Sequence, residues 1–465
     1  MLGKLIVRSV VRSSTTWIAL FISSIALSVV LSLNIGLVAA GAAAEGNAQQ
    51  AFIAMGGVAL GFTALTGFAS FVLVVGICIR LQQRHVALWQ IVGVMPKAAF
   101  SILLLEILLV SVLSAVIGAL VAIAVWPVYA AFVASSGLPQ SDVLTTPLPL
   151  IALVIGVSLT ATVSVVTGIR SALKVVQSNL VQAFSSSAAF PHGETKSRVR
   201  RIIAALTGAI LLLGVLSLYV ALSRAPEPDS AQSVGNFLTS YPGMGLLLCF
   251  VFAMLGGAVI PPVISLLRLI PMNSNAWFLA TREASARPRL TRSLVMPVSL
   301  AAAAVGVITM WVGKLTAVFT QGYGAGDSVS APPEQMALLL GGPIVVACVS
   351  AAAVVFATYN QRSEDNALLL VSGATPPMMY SKAITESVVY GITALVCACI
   401  IVAVNEVAMV FALKSGPVPV ASFTAPGWQP VAVIVLGIVL VLIMLLVIAA
   451  RGARKNSVSI VIGSK

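Results

Sequence analysis

Ten apolar runs, separated by short polar stretches, organise this chain. They cover residues 17–40, 52–79, 101–125, 148–169, 202–222, 244–267, 294–312, 337–357, 380–403 and 430–450. A hydrocarbon core about 30 Å thick takes roughly 20 residues of helix to cross. Backbone groups inside it find no water, so runs of this length must satisfy their own hydrogen bonds as α-helices. The pattern predicts an all-α integral membrane protein with ten transmembrane helices. Residues 126–147 and 404–429 are predicted outside those helices, with Trp126, Tyr129 and Trp428 at membrane interfaces. Pro261-Pro262 predicts a break or kink in the sixth span.

Composition agrees with this reading. Of 465 residues, 59% are hydrophobic and 8% charged, with a mean hydropathy of +1.09. A soluble domain carries about a quarter of its residues as charged side chains. The net charge of +13 could suggest nucleic acid, but its distribution argues for topology instead. With the N-terminus inside, 23 of 26 basic residues fall on the inner side; Arg224, Lys314 and Lys414 are the exceptions. Inner loops carry the excess of Lys and Arg, so both termini are predicted cytoplasmic. Lys4, Arg8, Arg12 and Val38-Ala39-Ala40 would suit a signal peptide. The apolar run between them is longer than the usual 7–15 residues, so 17–40 is predicted as a span. Cys78, Cys249, Cys348, Cys397 and Cys399 lie in apolar runs, which predicts no disulfide framework. Two histidines, His85 and His192, are too few for a histidine-rich metal centre.

The most informative pattern is an internal repeat. Leu88-Trp89-Gln90-Ile91-Val92-Gly93-Val94-Met95-Pro96 aligns with Leu368-Leu369-Leu370-Val371-Ser372-Gly373-Ala374-Thr375-Pro376 at an offset of 280, which also relates Ala87 to Ala367 and Glu106 to Glu386. A weaker echo joins Val7-Arg8 and Arg12 to Thr281-Arg282 and Arg287. Spans 1–4 and 7–10 thus read as two parallel copies around an inserted pair. In each copy a short amphipathic helix ends in Gly-x-x-Pro, which should stop the helix and turn the chain back into the membrane. A glutamate then sits near the start of the next span, where an acid is costly unless paired or hydrated. A structural ion pair with a nearby arginine or lysine, or a partner contact, is the expected role of Glu106 and Glu386. Glu406 is expected to be a solvated interfacial group. Ser158, Thr160, Thr162, Ser164 and Thr167 are expected to bond to their own helix backbone.

These features resemble the FtsX-like permease domain of the MacB-type ABC transporter superfamily. Members carry an arginine-bearing stretch before the first span and an Ala-Leu…Leu-Gly-Ala segment between the second and third. Here those segments read Arg84-His85-Val86-Ala87-Leu88-Trp89-Gln90-Ile91-Val92-Gly93-Val94 and Glu364-Asp365-Asn366-Ala367-Leu368-Leu369-Leu370-Val371-Ser372-Gly373-Ala374. The first copy lacks the family's acidic residue before Ala-Leu, and the second lacks an arginine at the position of Arg84. The four-two-four arrangement resembles the Bce-type permeases, but with minimal outside loops. The implied division is a first repeat (1–175), a basic linker (176–201), an inserted helix pair (202–270), a second repeat with an N-terminal amphipathic helix (271–455) and a tail (456–465).

The resemblance implies a bacterial plasma-membrane permease driven by a separate ABC ATPase, two copies per chain, which would bind ATP and Mg. No cofactor is expected in this chain, no nucleic-acid partner and no catalytic site of its own. The sequence carries no Gly-x-x-x-x-Gly-Lys-Ser/Thr phosphate loop; Gly193-Glu194-Thr195-Lys196-Ser197 lacks the spacing. Arg84, Leu88, Trp89, Gly93, Glu106, Glu364, Leu368, Gly373 and Glu386 are the expected ATPase-coupling residues. Short outside loops favour an amphipathic substrate taken from the membrane, alongside lipid, in a cleft near Gly57, Gly61, Ala304 and Gly341. Ordinary helix packing is the plainer reading of the Gly57–Gly61 pair. The alternative function is a non-transporting signal transmitter acting on a wall hydrolase or sensor kinase. An ion-coupled carrier is disfavoured, because charges away from the span ends are few.

Overall fold

The computed structural model describes residues 14–135, 147–176, 231–270, 274–322, 333–414 and 427–454, with part of 202–217. These residues are helical and contain no strand. The elements are α1 (Ser14–Ala43), α2 (Gly46–Leu81), α3 (Gln83–Ile91), α4 (Pro96–Ser135), α5 (Leu150–Val176), α6 (Ala231–Arg268), α7 (Asn275–Ala286), α8 (Pro288–Gly322), α9 (Pro333–Ala357), α10 (Tyr359–Val371), α11 (Pro376–Lys414) and α12 (Gln429–Arg454). Nine of them are long and apolar enough to cross a membrane; α3, α7 and α10 are the short ones. The chain is an all-α integral membrane protein. The predicted span 202–222 falls largely outside the described residues, although Gly208 lies against Leu255 of α6.

Two groups of four helices share one neighbour scheme. In the first, α1 packs on α2, α4 and α5, and α5 also touches α2 and α4. In the second, α8 packs on α9, α11 and α12, and α12 also touches α9 and α11. The groups meet where α9 crosses α1 and α2. Gly342 permits that approach: a Cβ there would lie 2.6 Å from Val30 Cγ1 and 2.7 Å from Thr63 Oγ1. Beside it, Asn34 Nδ2 donates to Thr63 Oγ1 at 3.1 Å, so both side chains are satisfied inside the seam. α6 packs against α8 and α11 and reaches α2.

Three expectations need correction. α4 runs through Trp126 to Ser135 and α11 through Glu406 to Lys414, so both continue into stretches predicted to lie outside the helices. At 1.5 Å per residue, helices of 40 and 39 residues exceed a bilayer core about 30 Å thick. Their far ends stay helical because they pack on neighbours: Trp126, for example, is buried against Gly36 and Leu148. α6 is not broken at Pro261-Pro262; it remains one helix through Pro242, Pro261 and Pro262. Membrane helices tolerate proline where neighbouring groups compensate the lost backbone bond.

The hydroxyls of α5 behave as expected. Ser158, Thr160, Thr162, Ser164 and Thr167 each donate to a carbonyl three or four residues earlier, at 2.7–3.0 Å.

Candidate functional site

The short helices α3 and α10 occupy corresponding places, each following the second long helix of its group. α3 touches α2, α4 and α5; α10 touches α9 and α12. Both end in the same hydrogen-bonded turn. Gly93 N–H donates to Gln90 O at 3.1 Å and Val94 N–H to Trp89 O at 2.9 Å; Gly373 N–H donates to Leu370 O at 3.0 Å and Ala374 N–H to Leu369 O at 2.9 Å. This 5→2 and 6→1 pairing is a Schellman motif, which places its glycine in the left-handed region. Gly93 has φ +100° and Gly373 φ +95°. Pro96 and Pro376 then open α4 and α11, where a missing N–H costs nothing. The repeated Gly-x-x-Pro therefore specifies one device built twice.

Each device leaves apolar side chains uncovered. Leu88 is 48% exposed and Leu368 64%, and Ile91, Val92, Met95 and Val371 are exposed beside them. Trp89 turns the other way and packs on the core. Glu364 is exposed. Arg84 is in α3, with its side chain outside the described residues.

Behind α10 lies a set of ion pairs that joins three helices. Arg287, at the C-terminus of α7, donates twice to Asp365 of α10, at 2.6 and 3.0 Å. Arg362 of α10 donates to Glu386 of α11 at 2.7 Å. Lys382 of α11 meets Glu283 of α7 at 2.6 Å, closing the triangle. Tyr390 O–H also donates to Glu386, at 2.6 Å. Burial would raise the Glu283 carboxyl, but Lys382, Arg362 and Arg287 outweigh it and hold it below its ordinary value. Burial would weaken the Arg362 proton, but Glu386 leads a set of groups that holds it above the ordinary arginine value. A small cavity opens among Glu283, Arg362, Lys382 and Glu386, walled by Leu445 and Ile448 of α12.

The expected ion pair at Glu386 is thus present, with Arg362. Sequence reasoning singled out neither Arg362, Lys382 and Glu283 nor the Arg287–Asp365 pair. The offset itself was the available signal: Arg362 aligns with Gln82, the residue before α3. There the Gln82 amide, oriented to satisfy both neighbours, donates to buried Glu106 Oε2 at 3.3 Å and accepts from Trp17 Nε1 at 2.7 Å. The same position next to a buried glutamate is cationic in one group and neutral in the other.

Glu406 is corrected as well. It is buried rather than solvated: Lys314 Nζ of α8 lies 2.8 Å from Oε1, with side-chain exposures of 3% and 5%. Tyr241 O–H of α6 donates to Oε2 at 3.1 Å. Buried charge is therefore available within the long helices, where the sequence offered little sign of it.

The residues expected to line a cleft have different surroundings. Gly57 is exposed with open space at its Cβ position, and Gly61 faces Leu246 of α6. Ala304 is buried in α8, and Gly341 has open space beside it. The glycine at the seam is its neighbour, Gly342.

Residues 57–180, from within α2 to just past α5, match the family model described as FtsX-like permease C-terminal. No curated protein matches the chain. The match supports an FtsX-like permease and a membrane role associated with ABC transporters, a family that typically works with an ATPase partner.

Proposed function

We propose, from that likeness to FtsX-like permeases, that the chain is the membrane subunit of an ATP-driven exporter for an amphipathic substrate. The carrying observation is the twice-built device: a rigidly terminated short helix, presenting Leu88 in one group and Leu368 in the other to a partner. Exposed contiguous apolar residues on a short helix suit a docking surface better than a free one. In this reading both devices and both termini are cytoplasmic, which the excess of basic residues in those loops supports, and the membrane is a bacterial plasma membrane. One ATPase copy would seat on α3 and another on α10. The ATP and Mg belong to those subunits.

The division into two FtsX-like repeats around an inserted helix pair belongs to this reading. ATP-driven closure of the ATPase pair would press on α3 and α10. Long helices that start directly after each device, α4 and α11, would carry the movement to the far side of the membrane. There the seam of α1 and α2 with α8 and α9 would narrow and release the amphiphile. The test is to reconstitute the chain with its ATPase and screen peptides, lipids and drugs for stimulated ATP turnover and vesicle efflux. Stimulation with efflux supports export. ATP turnover without any movement of an amphiphile contradicts it and favours signalling.

A further inference from the structure

A polar pair lies where the two groups of helices meet. Asn34 of α1 is 3% exposed and Thr63 of α2 is buried, with Asn34 Nδ2 donating to Thr63 Oγ1 at 3.1 Å. An amide carries two N–H donors and a carbonyl acceptor. Among the described residues Asn34 makes no other side-chain hydrogen bond, so its second N–H and its carbonyl keep spare capacity. Fastening α1 to α2 accounts for the bond that is made. It does not account for the cover. Over the pair lies Gly342 of α9, which brings no side chain. A Cβ there would lie 3.3 Å from Asn34 Nδ2, 2.7 Å from Thr63 Oγ1 and 2.6 Å from Val30 Cγ1. α9 can therefore withdraw from this spot without breaking a hydrogen bond, and its withdrawal uncovers the amide.

Asn34 and Gly342 each lie nine residues from the helix end that faces away from α3 and α10, at Ala43 and Pro333. At 1.5 Å per residue that is a depth of about 14 Å. The corresponding crossing, where α2 meets α8, is built differently. The offset of 280 puts buried Phe62 opposite Gly342, Pro343 opposite Thr63 and Lys314 opposite Asn34, and Lys314 is turned to Glu406. An amide covered by a glycine thus belongs to the seam of α1 and α2 with α9 and not to its counterpart.

We propose that Asn34 determines specificity for the amphiphile: when α9 moves off it, its amide binds the substrate's polar group. The group that fits is an uncharged amide or hydroxyl, because neither Asn34 nor Thr63 offers a charge to balance one inside the membrane. Thr63 is a positioning residue that orients the amide, and Val30, one turn away on α1, is the apolar contact beside it. The substrate class is therefore an amphiphile with a hydrogen-bonding group next to its apolar part, such as an acylated peptide. A site built to hydrogen-bond such a group discriminates against an analogue that lacks it. The inference rests on the exporter reading for transport, but binding at the seam does not require the ATPase.

Binding to the full chain in lipid nanodiscs, measured against empty nanodiscs, tests this. The probes are dodecanoyl-diglycine amide and its N-methylated counterpart, which lacks every N–H. Wild type should bind the first at least about tenfold more tightly, the scale of one hydrogen bond made or forfeited. Asn34→Leu should erase that preference. Thr63→Val breaks the same α1–α2 bond but keeps the Asn34 amide, so it should retain the preference, which a merely structural pair does not predict. A disulfide between Val30→Cys and Gly342→Cys, with the five native cysteines replaced, should hold the seam shut. The contact of a Cβ at 342 with Val30 Cγ1 is compatible with the Cβ separation of about 3.5–4.5 Å that a disulfide needs. Oxidation should abolish binding of the amide and reduction should return it. If the cysteine pair does not insert, the comparison of Asn34→Leu with Thr63→Val decides alone. Equal binding of the two probes to wild type, a preference that survives Asn34→Leu or is lost in Thr63→Val, or unchanged binding to the oxidised protein overturns the proposal. Binding with the expected preference but no efflux of either probe by the reconstituted complex counts against the exporter reading and leaves the role of Asn34 standing.

Discussion

Lys314 and Glu406 show how far a single residue's meaning depends on its neighbour. Each sits near the end of an apolar run, and hydropathy places both at a wet boundary. In the fold they face one another 2.8 Å apart, out of solvent, and Tyr241 O–H also donates to the carboxylate. Removing one partner of a buried pair strands the other charge, at a cost of about 3–5 kcal/mol. Lys314→Met should therefore lower unfolding stability in detergent by that amount. The double variant Lys314→Met with Glu406→Leu should recover much of the loss, since an apolar pair of similar volume can replace a buried ion pair. Chemical denaturation of both variants checks this; a fully tolerated single variant contradicts the pair's burial.

Glu283 offers a pH dependence at the same scale. Its folded pKa lies below its ordinary value because three cations outweigh burial. A depressed carboxyl contributes stability that is present above its unfolded pKa, about 4.3, and lost as pH falls through the folded value. The α7–α11 contact should thus survive from neutral pH to about pH 5 and open only below the ordinary carboxylate range. Exchange at residues 275–286, followed across that range, reads it directly. Loss of protection between pH 7 and 6 would refute the assignment.

At the scale of elements, much was legible in the sequence, for identifiable physical reasons. Long apolar runs become helices because a bilayer leaves the backbone no other partner. The Gly-x-x-Pro turns were legible because Gly93 and Gly373 need a left-handed backbone that other residues resist. What the sequence did not carry was the choice of neighbours. The packing of Gly36 and Leu148 around Trp126 had no sign in the sequence, and neither did the continuation of α6 as one helix through Pro261-Pro262 among α8, α11 and α2. The ion triangle was hidden similarly: its residues are spread over about a hundred positions on three helices. The glycines support a sharp expectation. Neither has any atom within 4 Å of a built Cβ, so a substitution meets only backbone strain. Gly93→Val and Gly373→Val should each cost about 1–2 kcal/mol. They should lower coupling of ATP turnover to efflux while leaving membrane insertion intact. Unchanged coupling in both would remove these turns from force transmission.

Across the whole molecule, two groups of four helices share a neighbour scheme but not a charge scheme. Where the first group has Gln82 beside Glu106, the second has Arg362 paired with Glu386, and it is ion-paired again at Glu406, twenty residues further along α11. At 1.5 Å per residue that separation is about 30 Å, so the second group is pinned near both ends of one long helix. The central claim is that a separate ATPase grips α3 and α10 through their exposed apolar residues. The most direct measurement is ATPase binding to the chain in nanodiscs, with stoichiometry, for wild type and for Leu88→Asp combined with Leu368→Asp. Two ATPase copies per chain, with affinity reduced at least about tenfold in the double variant, is the result expected of hot-spot residues at a docking surface. Undiminished binding by the double variant would contradict it.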